Sequence, residues 1–308
     1  MRPFGERCLA LLGVFTFAGT LEAGTPIPRM LLLDAAVVGS DVFAVGERGS
    51  ILRSTDNAQS WSRLASPVRS ALTGISFPPE TLQRGWAVGH DAVILATVDG
   101  GLSWRMQFQA DNREESFLDV LALNNSHVLA VGAYGLFYVT TDGGQTWVRK
   151  NIREGDEHLN RLSHGPSGVL YLAGERGTLL RSVDAGDSWQ PIKSPYQGSF
   201  YGIVPLDRRT LLAYGLEGRV FRSIDEGLSW QAVPTPRPVL LATAAQLKSN
   251  YIYLSGYAKT LLLSKDYGKS FAAVDSPPPK GVAELVELPD GSVLALGDGG
   301  VTVLPRPW

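Results

Sequence analysis

The sequence predicts an all-β fold, a seven-bladed β-propeller made of four-stranded antiparallel blades. A box of the form Ser/Thr-x-Asp-x-Gly-x-Ser/Thr-Trp occurs six times, four times in full and twice with one substitution. A glycine in an Ala-x-Gly or Leu-x-Gly context occurs seven times. Both series repeat every 41–43 residues. A period of this length, filled with short apolar runs between turn residues, is typical of a propeller blade. No long window shows the spacing of apolar residues that indicates a helix.

The six boxes mark the first six repeats, and a seventh glycine marks the last. The boxes occupy residues 54–61, 97–104, 140–147, 182–189, 223–230 and 264–271. Their acidic residues are Asp56, Asp99, Asp142, Asp184, Asp225 and Asp266. Their final aromatic residues are Trp61, Trp104, Trp147, Trp189, Trp230 and Phe271. Gly297 belongs to a seventh repeat without a box, so seven blades are predicted.

The residue types of the box predict a structural role. An Asp carboxylate can accept backbone N–H groups of its own turn, and Gly at the fifth position permits a positive φ. The closing aromatic ring can bury a large apolar area between neighbouring hairpins. In the first box Ala58 replaces the glycine, which predicts strain or a modified turn there.

The ends of the repeat array predict how the ring closes. After Gly297 the chain has room for only three strands of the last blade. We expect the segment at 28–33 to add the fourth strand, which would remove open sheet edges. The propeller is predicted to span residues 24–308.

Residues 1–23 resemble an export signal. Arg2 and Arg7 precede a short apolar stretch and then small residues, which is the usual order in a signal peptide. An uncleaved membrane anchor is the alternative. No other run reaches the length of a membrane-spanning helix. We expect the protein to be located in the periplasm, or in a lumenal or extracellular space. We also expect it to be a monomer.

The charge balance excludes several classes of function. With 28 Lys+Arg against 30 Asp+Glu, the net charge of −2 excludes a nucleic-acid coat protein. The histidines lie in unrelated positions, and no phosphate loop or calcium loop is complete. We therefore expect no metal and no cofactor.

The repeat resembles a known family. The box is similar to the Asp-box (BNR) repeat. The longer pattern Gly-Glu-Arg-Gly-Ser-Ile-Leu-Arg-Ser-Thr-Asp at 46–56 returns almost unchanged at 174–184. This pattern resembles the photosystem II stability and assembly factor family. The resemblance implies a non-catalytic scaffold that binds a protein, with a subunit of a membrane-protein complex as its expected partner.

The same resemblance implies an arginine-rich binding patch. The residues expected to contact a partner are Arg48, Arg53, Arg176, Arg181, Arg222, Glu47, Glu175 and Arg161. Strand order places the turns that carry Arg48 and Arg176 on one face of the disc and the boxes on the other. At the position of Arg53, blades 2, 3 and 6 carry Ala96, Val139 and Leu263. The patch is therefore incomplete, and its partner need not be a photosystem.

A secreted sialidase-like glycoside hydrolase, or a glycan-binding lectin, is the alternative function. Arg48, Arg176 and Arg161 supply the residue types of an arginine triad, and Tyr201 with Glu284 supplies a nucleophile and its partner. Asp119 with Glu284 is the one carboxylate pair that offers acid–base chemistry. The spacing and the early Arg-Ile-Pro motif of sialidases are missing, so no catalytic residue is assigned.

Overall fold

A computed structural model describes residues 30–307 of the protein, and the predicted signal at 1–23 lies outside these residues. The described chain is a seven-bladed β-propeller, as predicted. Among residues 30–307, six blades have four strands and the seventh has three. Strands follow one another from the centre outward in each blade, and every neighbouring pair is antiparallel.

The strands take the same four positions in each blade. The inner strands are Leu32–Val38, Leu72–Ser76, Phe117–Ala122, Leu159–His164, Phe200–Pro205, Leu241–Gln246 and Val282–Glu287. The second strands are Asp41–Gly46, Gly85–Gly89, Val128–Gly132, Leu170–Gly174, Leu211–Gly215, Ile252–Gly256 and Val293–Gly297. The third strands are Ser50–Ser54, Val93–Thr97, Phe137–Thr140, Leu179–Ser182, Val220–Ser223, Leu261–Ser264 and Gly300–Leu304. The outer strands are Ser62–Leu64, Arg105–Gln109, Val148–Arg149, Gln190–Pro191, Gln231–Ala232 and Ala272–Ala273.

The core lies between the blades. Seven apolar clusters are found in the described chain, and each joins the facing sides of two adjacent blades. The second strands are buried along their whole length in blades 2–7. Burial of apolar area between sheets is therefore the main stabilising contribution, and no blade has a separate core.

The repeated glycine ends each second strand because the inner strand passes too close for a side chain. A Cβ on Gly46 would lie 2.2 Å from the carbonyl oxygen of Leu31, and one on Gly132 would lie 2.1 Å from that of Ser116. The next residue uses the same carbonyl, since Glu47 N–H donates to Leu31 at 3.0 Å. The glycine series therefore records a close backbone approach, which no L side chain fits.

The structure corrects the predicted closing strand at Leu32 and Leu33. Leu32 and Leu33 belong to the inner strand of blade 1, because the turn at Gly39 folds this strand onto Asp41–Gly46. They therefore do not form a fourth strand in blade 7, and Pro28 lies outside the described residues. The inner strands of blades 1 and 7 contact each other. The cluster that joins these blades contains Met30, Leu32, Val42, Ala44, Leu52, Ala58, Trp61, Leu288, Leu294 and Leu296.

Each of the six boxes folds into the same kind of turn. In box 3 the Thr140 hydroxyl donates to Asp142 Oδ1 at 2.8 Å, and it accepts the Gly144 N–H at 2.8 Å. Asp142 also accepts the Thr146 N–H at 2.9 Å and the Thr146 hydroxyl at 2.6 Å. These bonds lower the pKa of Asp142 to about 2, with the Thr146 hydroxyl as the largest cause. The carboxylate therefore fixes the turn within its own box.

Ala58 adopts the box turn despite its Cβ. Its φ is 65°, in the region that the corresponding glycines occupy, such as Gly144 at 84°. The Ser54 hydroxyl still accepts its N–H at 2.9 Å. Strain at Ala58 is therefore supported, whereas a modified turn is not, since the hydrogen bonds are those of the other boxes.

Burial of the box rings is uneven. Trp61, Trp104 and Phe271 are buried, whereas Trp147, Trp189 and Trp230 are half-buried at the edge of their clusters. The buried Trp104 ring meets Phe77 edge-on at 5.9 Å, and its N–H donates to the Gly101 carbonyl at 3.0 Å. All six rings pack between blades, but their contributions to stability differ.

Candidate functional site

The turns between second and third strands form one face of the disc, which we call the turn face. Arg48 (φ 55°), Tyr134 (φ 54°) and Arg176 (φ 49°) lie at the tips of these turns. The left-handed backbone at each tip keeps the side chain on the outside of a tight turn. Arg48 is exposed, and Arg176 is 76% exposed with Glu157 3.8 Å away. The turn tips of blades 1 and 4 therefore each present one exposed arginine.

The two acidic turn residues are less available than the arginines. Glu175 accepts the His158 N–H at 3.1 Å and lies 3.6 Å from the His158 ring nitrogen. Glu47 is half-buried beside Arg48. Glu175 therefore stabilises the loop between blades 3 and 4.

A basic groove lies on the turn face next to blade 1. Its lining residues are Arg48, Arg63, Leu64, Ala65, Ser66, Val68 and Arg69, and its volume is about 630 Å³. None of these lining residues is acidic. Within residues 30–307, the three guanidinium groups form no salt bridge. Sequence reasoning missed Arg63 and Arg69, because they follow the repeated box and lie outside the pattern on which the resemblance rests.

The other predicted arginines lie elsewhere. Arg53, Arg181 and Arg222 sit near the box ends of their third strands. Arg53 forms an ion pair with Asp41 at 2.6 Å, Arg181 lies 3.7 Å from Glu226, and Arg222 donates to the Tyr267 carbonyl at 3.0 Å. The five arginines thus do not form one continuous patch; Arg48 and Arg176 are on the turn face, and the other three link structural elements.

A mainly apolar bowl opens at the centre of the turn face. It holds about 280 Å³ and is lined largely by side chains that precede or begin the inner strands. Among them are Leu31, Leu33, Leu118, Asn160, Arg161, Tyr201, Leu240, Tyr257 and Asp298. Asn160 and Tyr201 lie at the channel mouth, and Arg161 reaches the bowl from the channel below it.

Beneath the bowl, one residue from each inner strand points into the channel. These residues are Asp34, Gly74, Asp119, Arg161, Gly202, Thr243 and Glu284, and we call them the channel ring. Arg161 forms an ion pair with Glu284 across the channel. Glu284 also accepts the Thr243 hydroxyl at 3.1 Å. Aligning the repeats on their glycines would have found five members of this ring, each 13 residues before its glycine. Asp34 and Gly74 lie 12 and 15 residues before theirs, so only the strand register shows that they are equivalent.

Burial dominates the electrostatics of the channel ring. Desolvation raises the pKa of Asp119 to about 6, with Arg161 acting in the opposite direction. Burial, followed by the negative charge of Glu284, raises the pKa of Asp34 well above its ordinary value. Burial also raises the pKa of Tyr214 to about 12. Three carboxyl groups thus share one guanidinium in a buried space, an arrangement that is costly when all are ionised.

The residues considered for glycoside hydrolysis do not share one open site. Tyr201 lines the bowl, whereas Asp119 and Glu284 line a second cavity of about 240 Å³ on the other side of the channel ring. Asp119 accepts the N–H groups of Leu162 and Val120 at 2.7 and 2.8 Å. Arg161 is in the channel, whereas Arg48 borders the basic groove. In this structure the carboxylates of Asp119 and Glu284 therefore bind groups of other blades.

In the described part of the chain, no group of three or more His, Cys, Asp or Glu side chains is arranged to hold a metal ion. No helix among residues 30–307 is long and apolar enough to cross a membrane.

The fold and its surfaces define the class of protein, a BNR-repeat β-propeller with a charged turn face. A family model described as photosynthesis system II assembly factor YCF48 matches residues 107–237. The photosystem II stability/assembly factor HCF136 of Oryza sativa subsp. japonica is 27% identical over 184 residues, which are 56% of this chain and 42% of that protein. The photosystem II assembly lipoprotein Ycf48 of Synechococcus sp. (strain CC9902) is 26% identical, covering 47% of this chain and 43% of that protein.

A solved structure described as YCF48 bound to D1 peptide has a TM-score of 0.73 at 21% identity. The match covers 89% of this chain and 91% of that one. The matched segments span less than half the length of the two curated relatives. These comparisons confirm the predicted resemblance to the photosystem II assembly factors. The structural match supports the seven-bladed propeller fold.

Proposed function

We propose that this protein is an exported, non-enzymatic scaffold that binds a subunit of a membrane-protein complex and aids its assembly or stability. The names of the relatives support an assembly role, and one relative is named a lipoprotein, which is consistent with export. A solved neighbour is described as bound to a peptide, which supports a protein as the partner.

The basic groove is the observation that carries this proposal. Among residues 30–307, Arg48, Arg63 and Arg69 form no ion pair with an acidic side chain. They line a concave surface of about 630 Å³. Guanidinium groups bind carboxylates in a bidentate geometry, so an unpaired set is suited to an acidic segment of another protein. Exposed charges of this kind act strongly on association, and salt screens them.

Charge reversal tests the proposal. Arg48→Glu combined with Arg63→Glu should weaken capture of the partner subunit at least tenfold, because two attractive charges become repulsive. Arg208→Glu is the matched control, since Arg208 is also exposed but lies in the loop at 206–210, on the box side of the disc. Binding is measured with immobilised protein against synthetic peptides from the exported loops of co-purifying membrane subunits, at low and at high salt.

The outcome separates the two functional classes. Equal peptide binding by the double variant and the control would contradict the proposal. Hydrolysis of a fluorogenic sialoside above the blank rate would favour the glycosidase alternative instead.

A further inference from the structure

The channel ring links neighbouring blades through side chains. Asp34 of blade 1 accepts the N–H of Ile75 in blade 2 at 2.7 Å, and Asp119 of blade 3 accepts that of Leu162 in blade 4 at 2.7 Å. Thr243 of blade 6 accepts the N–H of Leu285 in blade 7 at 3.2 Å. In each case the donor is the residue that follows the ring position of the next blade, so the ring forms a repeated clasp.

One salt bridge crosses the channel. Arg161 of blade 4 pairs with Glu284 of blade 7, and these blades are not neighbours. The Tyr214 hydroxyl occupies the place of a side chain at Gly202, since a Cβ there would lie 2.2 Å from it. The charged or titratable groups facing the channel are thus Asp34, Asp119, Arg161, Tyr214 and Glu284, and blades 2 and 6 add only Gly74 and Thr243.

The charge of the ring is unbalanced. Three carboxyl groups face one guanidinium, so full ionisation leaves two uncompensated negative charges in a buried space. Asp119 is 9% exposed and Asp34 is 7% exposed, so water screens their repulsion weakly. A proton on one carboxyl group removes half of the excess charge and leaves the Arg161–Glu284 pair intact.

We propose that the channel ring is a proton-controlled link between the blades, in which Asp119 holds a proton in mildly acidic solution and releases it towards neutral pH, loosening the closed ring. Asp119 and Asp34 are both buried and both accept an N–H from the next blade. Asp119 responds in this range because the charge that acts on it most strongly is that of Arg161, which offsets part of the effect of burial. The strongest charge acting on Asp34 is that of Glu284, which adds to the effect of burial. Arg161 borders the bowl as well as the ring, so the change in charge also alters the electrostatic potential at the centre of the turn face.

The sign of the effect follows from proton linkage. The pKa of Asp119 is about 6 in the folded protein against an ordinary 3.8. The folded state therefore binds this proton more tightly than the unfolded state. Its stabilising effect is complete below about pH 4 and is lost as the pH rises through about 6. Across this window the unfolding equilibrium constant should rise by up to about tenfold per pH unit, the limit for one proton.

Urea unfolding of the full chain between pH 4 and pH 8 tests the link. The wild type should lose stability as the pH rises from 4 to 6.5, and Asp119→Asn should flatten this part of the profile. Asp111→Asn is the matched control, because Asp111 is an exposed carboxylate outside the channel. A pH profile of Asp119→Asn that follows the wild type would overturn the proposal, as would equal flattening by Asp111→Asn.

A direct titration covers the case in which Asp119→Asn does not fold. In wild-type protein with 13C-labelled carboxyl groups, one aspartate should titrate near pH 6. If every aspartate carboxyl group titrates below pH 5, Asp119 does not hold the proton and the proposal fails. Neither measurement involves a partner, so the result is independent of the proposed function.

Discussion

The boxes recur in six blades and the channel ring in all seven, but the two features use carboxylates in opposite ways. Each box aspartate is solvated and accepts hydrogen bonds from its own turn. The six boxes therefore contain nearly the same set of hydrogen bonds. The channel positions hold Asp, Gly, Asp, Arg, Gly, Thr and Glu. They are buried, and their partners belong to other blades. Repetition therefore marks the scaffold, whereas variation at one repeat position marks the place where the blades differ in charge.

The two sets of carboxylates also respond to pH with opposite signs. The pKa of Asp225 is lowered to about 2, first by the Ser229 hydroxyl, so its contribution is present above about pH 4 and is lost as the pH falls towards 2. The pKa of Asp119 is raised to about 6, so its contribution is lost as the pH rises. The box carboxylates therefore stabilise the folded state in neutral solution, whereas the protonated channel ring stabilises it in mildly acidic solution.

Removing a buried box ring should have the largest effect. Trp104→Ala should lower the free energy of unfolding by about 3–5 kcal/mol, because the cavity lies in the cluster between blades 1 and 2. Trp147→Ala is the comparison within the same motif, and it should cost less since that ring is half-buried. Urea unfolding at pH 7 measures both. Equal losses would show that box rings contribute through the turn and not through burial.

Removing the one cation of the channel should come next. Arg161→Met should cost about 3 kcal/mol at pH 7, at the lower end of the range for a broken buried ion pair, because Arg161 is 24% exposed to the two cavities. The loss should shrink at pH 5, where protonated carboxyl groups need no counter-charge. Arg53→Met removes an ion pair outside the channel and serves as the control. A loss that is independent of pH would remove the distinction between the two regions.

Backbone changes in the boxes should have the smallest effect. Gly186→Ala should cost about 1–2 kcal/mol, because its φ is 93° and the added Cβ would lie 2.9 Å from Leu129. The reverse change, Ala58→Gly, should stay within about 1 kcal/mol of the wild type, since relief of strain offsets a more flexible unfolded chain. Thermal unfolding compares the two variants. If Gly186→Ala is neutral, the fifth box position tolerates a side chain in blade 4 as it does at Ala58 in blade 1.

Most of the fold could be predicted because the repeat is local. The hydrogen bonds of a box join residues at most four positions apart, so the motif itself contains the turn. The glycine series gave the blade number and the face on which the turns lie. Closure was predicted wrongly for Leu32 and Leu33, because their strand pairs with Asp41–Gly46 through a short turn that the box period does not describe.

The candidate site was only partly predictable. Arg48 and Arg176 occur at matching positions of the repeat, so both were placed correctly on one face. Arg63 and Arg69 join Arg48 only after the connection between blades 1 and 2 has folded back along the turn face. The ion pairs of Arg53 and Arg181 could not be predicted from the sequence either, since their partners Asp41 and Glu226 lie outside the strands that carry the arginines.

By itself, the sequence determined the number of blades, the box turns and the orientation of the strands, because these depend on contacts within some forty residues. The tertiary structure alone decided which charges meet. Arg161 and Glu284 are 123 positions apart, and they pair only because seven inner strands converge on one axis. Closing the ring places single residues from distant repeats in one buried space, where low solvent screening makes their charges interact.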